Sequence, residues 1–387
     1  MKRVESIDII RGFVMIIMAL DHVRDLMHIN SITQSPTDLA ATTPLLFFTR
    51  IITHICAPTF VFLAGTSAYM MYKKQNNFIH TRNFLIKRGL WLILLEFTII
   101  NFGIYFDIGF HTLTFLVVAA IGLGFIILAL MLKLSPKTIG IVGLVIIFTH
   151  NLFPLIPFAN GSILKLILSP LFGPAAFALT TKMSFIIGYP PLPWLGIMLV
   201  GFAAGKLFEL TSASRKKLFL KIGLSSLLLF VILRFINIYG DPSNWAPQKD
   251  GTYTILSFLN VSKYPPSLLF CAITLGLMFV ILAFAEQTKS AFAKIFSTYG
   301  KVPLFYFIVH FFLIHTIMVG VIFLQGFNWS ELDFVSATFG RPKGVTSGVN
   351  LWVIYLIWTS VVLILYKPCR WYGKYKSEHH QWWLKYI

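Results

Sequence analysis

Between Arg3 and Asn30, six ionisable side chains (Asp8, Arg11, Asp21, His22, Arg24 and Asp25) fall in or at the ends of one apolar run. The middle of that run is apolar enough to enter a bilayer, where ionisable groups are costly and by default mark a functional site. Their spacing narrows the chemistry. A helix turns about 100° per residue, so eleven steps return almost to the same face. Arg11, Met15, Met18, His22 and Asp25 therefore form one stripe, with Asp8 a turn before Arg11. Arg11 and His22 would stand about 16 Å apart along the axis, a fixed cation at one end and a titratable base at the other. The plainer alternative is that Asp8 and Arg11 neutralise each other and that Asp21 to Asp25 is the wet end of the helix.

Further candidates stand along the chain. Arg50 and His54 lie four apart on one helical face at the start of a second apolar run. Arg50 reads either as an interfacial anchor or as a site residue, and His54, placed deeper, either as a site residue or as a histidine satisfied by a neighbouring carbonyl. Lys87 and Arg88 open the third run near its basic end, where long cationic side chains also serve as plain anchors. Glu96 sits in mid-run and needs a partner or a proton. Lys263 and Tyr264 precede two prolines that stiffen the entry to a later run. His310 and His315 are five apart, about 140° around a helix, and so do not share a face as a metal pair would. With no H-x-x-H, no C-x-x-C and no carboxylate cluster, no metal is expected. A phosphate-binding Gly-rich loop is also missing.

These residues need membrane-spanning elements to position them. The chain has 387 residues, is 57% hydrophobic and only 12% charged, where soluble domains carry about 25%. Repeated apolar runs of about 20 residues call for helices rather than a barrel. The fold expected is an all-α, polytopic bundle of about ten spans, near 6–28, 44–72, 84–105, 111–132, 138–153, 192–209, 217–237, 266–286, 302–325 and 350–366. Pro58 is expected to kink the second span. Lys and Arg alternate in density between successive connections. Lys2 and Arg3, Lys73 and Lys74, Lys133 and Lys137, Arg215 to Lys217, Lys289 to Lys301 and Lys367 to Lys385 share one side, which the positive-inside rule makes cytoplasmic, together with both termini. The net charge of +18 is read as loop charge, so no nucleic-acid partner is expected. Membrane lipid surrounds the chain, and a homodimer stays open. The outer connections fall at about 152–191, 238–265 and 326–349 of a single integral-membrane domain spanning 1–387. Cys56, Cys271 and Cys369 suggest no disulfide framework.

Several stretches, in order, resemble one family: SIDIIRGFVMIIMALDHVRD, PTDLAATTPLLFFTRIITHICAPTFVFLAGTSAYM, NVSKYPPSLLF with TLGLMF, and YGKVPLFYFIVHFFLIH. They are similar to bacterial multi-pass membrane proteins with a heparan-α-glucosaminide N-acetyltransferase catalytic-like domain. That group resembles in turn the acyltransferase-3 proteins, whose first helix carries an Arg and a His with ten residues between them, matched here by Arg11 and His22. The resemblance implies an enzyme of the inner cell membrane. It would move an acetyl or other short acyl group from cytoplasmic acetyl-CoA to a hydroxyl or amine of an outer sugar or glycan. It implies His22 as general base, oriented by Asp21 or Asp25, with His54 the alternative base. Asp8, Arg11, Arg50, Lys87 and Arg88 fall to the coenzyme, and Lys263 and Tyr264 to the acceptor entrance. One departure separates this chain from the lysosomal enzymes: TTPLLFFTR occupies the register of their catalytic histidine, and their first helix has Asn where His22 stands. Heparan sulfate is therefore not the acceptor expected here. The rival reading from another class is a proton-coupled secondary transporter using Asp8, Arg11, His22 and Glu96.

Overall fold

The computed structural model describes residues 4–158, 162–336 and 338–386. Lys2 and Arg3 lie outside them, as does the Lys385 side chain. The first helix, α1 (Glu5–Met27), contains the six ionisable residues singled out in the opening stretch, with Glu5 as well. The second apolar run divides into α2 (Pro44–Thr53) and α3 (Cys56–Gln75). Thr43 caps α2 and Pro44 begins it, and Asn76 closes α3 in the left-handed region. The expected kink at Pro58 is corrected to a break before it, at His54 and Ile55. Pro58 falls in the first turn of α3, where a missing N–H costs nothing.

The third run is α4 (Phe78–Leu95), a π turn over Glu96–Ile100, and α5 (Asn101–Tyr105). The expected span at 111–132 begins instead as a strand, β1 (Thr112–Phe115), and only then becomes α6 (Val117–Met131). After α7 (Pro136–Thr149), the connection expected on the outer side folds into α8 (Ile163–Phe172) and a hairpin of β2 (Ala175–Ala178) and β3 (Ser184–Ile187). β3 pairs parallel with β1 and antiparallel with β2, giving the order β1-β3-β2. The helices α9 (Pro191–Ala204) and α10 (Ser212–Ile236) follow, then α11 (Gly251–Leu259) within the connection at 238–265, and α12 (Leu268–Ala285). The chain ends with α13 (Ala291–Gly300), α14 (Pro303–Leu324) and α15 (Leu351–Glu378).

Helix dominates, as the hydropathy requires. Among the described residues, seven helices are long and apolar enough to cross a membrane. The expected first and third spans are helical but carry charge within their runs, and α6 has only 15 residues.

Two contacts at the basic end set the position of α1. A Cβ built on Gly12 would meet the Phe296 carbonyl oxygen at 1.7 Å, and one on Gly300 would meet the Asp8 carbonyl oxygen at 1.8 Å. Only glycine lets the backbones of α1 and α13 approach this closely. Ser6 then donates to Glu286 (2.7 Å), which also takes Nε of Arg215 (3.0 Å) and the Ser212 hydroxyl. One carboxylate thus joins the starts of α1 and α10 to the end of α12.

Candidate active site

Two of the cavities that α1 lines meet its charged stripe. The first, about 360 Å³, is toward the basic end and is lined by Arg11, Met15, Ser67, Arg88 and a wall of apolar side chains that includes Phe60, Phe84 and Phe307. Arg11 reaches across it to the Ser67 hydroxyl and the Leu63 carbonyl of α3. The second, about 330 Å³, is toward the other end. Its lining is polar: Asp25, Arg50, His54, Asp241, Lys263 and Tyr264 meet there with Ser, Thr and Asn side chains. The predicted stripe on α1 runs from one to the other, since Arg11 and Met15 face the first cavity and Asp25 the second.

His22 stands on α1 between them. Its ring stacks on Phe311 (centroids 4.3 Å) and meets Phe307, a wall of the first cavity, edge-on at 6.3 Å. Nδ1 of His22 lies 2.6 Å from Nε2 of His310 on α14. Nδ1 of His310 lies 2.6 Å from the Phe307 carbonyl oxygen and 3.1 Å from that of Tyr306. Carbonyls only accept, so the network assigns the His310 proton to Nδ1 and leaves a lone pair on its Nε2. The His22 Nδ1–H must then donate to His310, and Nε2 of His22 keeps a lone pair. The arrangement makes His22 a base in a defined tautomer with a second imidazole behind it.

This corrects the expected role of the neighbouring carboxylates. Asp21 does not orient His22. Its oxygens are taken by Nη1 of Arg50 (2.6 and 2.8 Å), by the Thr53 hydroxyl (2.7 Å) and by Arg24. Asp25 accepts from Arg24 at 2.7 Å and lies 3.7 Å from Arg50. These residues clasp α1 to α2, with Asp21 and Arg24 buried. Arg50 is likewise separated from the group in which the sequence placed it: it faces the second cavity, with Asp21, and not the first with Arg11. Arg88 lines the first cavity, whereas its neighbour Lys87 is exposed on the surface of α4. Asp8 is buried at the foot of α1.

His54 is buried at the second cavity beside Phe270, and Lys263 and Tyr264 line the same space, with the Lys263 ammonium 5.1 Å from the Tyr264 ring. Glu96 serves another purpose. Its Oε2 accepts from the Ala119 N–H at 2.9 Å, capping the start of α6. His310 is the residue that sequence reasoning missed. It lies 288 positions from its partner, and no local periodicity connects two helices that far apart in the chain. The only signal was the quoted stretch YGKVPLFYFIVHFFLIH, which carries it.

Residues 3–236 match the heparan-alpha-glucosaminide N-acetyltransferase catalytic family. The chain belongs to that family. No curated protein matches it. The family match makes this a membrane acetyltransferase domain by descent, and it covers Arg11, Asp21, His22, Arg50, His54 and Arg88. It stops before Lys263, Tyr264 and His310, so these two residues of the second cavity and the second imidazole are contributed by the part of the chain beyond the match.

Proposed function

We propose that this chain is an acetyltransferase of the inner cell membrane. It takes the acetyl group from acetyl-CoA at its cytoplasmic, basic end and delivers it to a hydroxyl or amine of a sugar or glycan on the outer side. The observation that carries this reading is the His22 imidazole, placed between two cavities with Nδ1 engaged by His310 and Nε2 left basic.

The chemistry follows from the two linings. Arg11 and Arg88 give the first cavity the cations that a phosphorylated donor needs, and its apolar wall suits the arm that carries the thioester. The second cavity is polar nearly throughout, as a polyol acceptor requires, with Tyr264 as a ring for the sugar face and Lys263 and His54 as hydrogen-bonding groups. Nε2 of His22 removes the proton of the acceptor hydroxyl or amine as that atom attacks the thioester carbonyl. The carbon–sulfur bond breaks and a new carbon–oxygen or carbon–nitrogen bond forms. The proton held on His22 then passes to the departing thiolate, so no proton is released overall. His310 stabilises the transient imidazolium through Nε2.

The test is purified protein in nanodiscs with radiolabelled acetyl-CoA and a panel of amino sugars and glycans. Transfer of label, with thermal stabilisation by the coenzyme alone, supports the reading. Absence of both, together with proton-coupled solute uptake in proteoliposomes, would replace it with transport.

A further inference from the structure

The third outer connection, between α14 and α15, touches the ends of both histidine-bearing helices. Arg341 is buried there and makes no ion pair among the described residues. Its guanidinium instead donates to the His28 carbonyl (2.9 Å), the Ile29 carbonyl (3.3 Å), the Ser31 hydroxyl (2.9 Å) and the hydroxyl and carbonyl of Ser347. It therefore holds the chain just past the end of α1 to its own loop. Val349 adds a two-way backbone bridge, accepting from the Ile29 N–H at 3.0 Å and donating to the Met27 carbonyl at 2.7 Å. From the other side, Gln325 at the end of α14 grips Gly348 in both directions: its amide donates to the Gly348 carbonyl (2.6 Å) and accepts from the Gly348 N–H (3.1 Å). Gly348 has φ +98°, and a Cβ there would lie 2.5 Å from the Met27 carbonyl oxygen. No other residue type fits between the two helix ends.

The positions of the histidines relative to these ties are informative. His22 is ten residues beyond Gly12, and His310 is ten residues beyond Gly300, the two glycines at which α1 and α13 meet. The imidazole pair therefore sits between a fixed crossing at the basic end and the tie at the other. A hydrogen bond of 2.6 Å between two rings on separate helices tolerates little relative motion of those helices.

We infer that residues 341–349 form a strap that sets the His22–His310 contact, with Arg341 and, at the end of α14, Gln325 as the positioning residues. The strap holds the two helices at the spacing that keeps the His22 proton on Nδ1 and its lone pair on Nε2. The kinetic part of the test rests on the acetyl transfer proposed above; the spectroscopic part does not.

The experiment compares Arg341→Lys and Gln325→Ala with the wild type in nanodiscs, using protein labelled with 15N-histidine. The resonance to follow is the Nδ1–H signal that disappears in His310→Gln. Both variants are expected to melt within a few degrees of the wild type, to lose or broaden that signal, and to lower kcat by about 10²-fold with KM little changed, the cost expected of a displacement near 1 Å. An intact signal in a folded variant of either kind overturns the strap as a positioning device. If one variant does not fold, the other decides. Wild-type protein that shows the signal but transfers no acetyl group removes the functional reading and leaves the strap standing.

Discussion

Among the side chains, the proposed function divides the labour along one helix face. His22→Ala is expected to lower acetyl transfer by about 10²- to 10⁴-fold, the usual contribution of a general base, while coenzyme affinity stays within about twofold. Single-turnover assays and thermal shift with the coenzyme separate the two, and equal loss of both would remove the division. Arg11→Ala is expected to do the reverse, weakening donor binding about tenfold or more through the loss of a charge-assisted contact, with less effect on the bound-state rate. Titration of the donor by calorimetry checks it; unchanged affinity and yield would take Arg11 out of the site. The stripe itself was legible in the sequence because a helix repeats almost in register after eleven residues. The partner of His22 was not. Helical periodicity reports which residues share a face of one helix, and His310 is on another. The same limit explains Asp21: its nearness to His22 in sequence suggested an orienting carboxylate, while Arg50 and Thr53 from α2 occupy its oxygens in space.

At the scale of elements, apolar runs of about 20 residues made the helices readable, and breaks within those runs made them misleading. Hydropathy alone cannot distinguish one span from α2 and α3 joined at His54, because both are apolar and the break needs no polar residue. Nor does it reveal that 112–115 is a strand, since a short apolar run bounded by a turn fits either state. The joint between α1, α10 and α12 yields a test. Burial acts to raise the Glu286 carboxyl, but Arg215 and the hydroxyls of Ser212 and Ser6 outweigh it and hold the group below the usual carboxylate range. A depressed folded value means that the stabilisation is complete above the unfolded value, about 4.3, and is lost as pH falls through the lower folded value. Glu286→Gln is therefore expected to lower stability by about 1–3 kcal/mol at pH 7. The gap from wild type should close as the pH drops below about 4. Melting in detergent across that range measures it; a gap independent of pH would mean that Glu286 acts by packing alone.

At the scale of the whole molecule, the function proposed above requires the first cavity to open to the cytoplasm and the second to the outside, as the charge asymmetry of the connections predicts. All three cysteines are buried, so introduced thiols can be read against a quiet background. Ser35→Cys, at the second cavity, is expected to react with a membrane-impermeant maleimide in intact cells, and Lys73→Cys only after permeabilisation. The opposite pattern would invert donor and acceptor sides. The small sheet carries a consequence for how the protein is made. With 15 residues, α6 rises about 22 Å, short of the roughly 30 Å of a hydrocarbon core, and β1 leads directly into the helix. Outside water, the amides of β1 must find protein partners, and these are Asn101 and residues 184–187 of β3. Some seventy residues of chain must therefore leave the ribosome after β1 before its backbone is satisfied, so this sector of the bundle settles late, behind the helices that follow it in the chain.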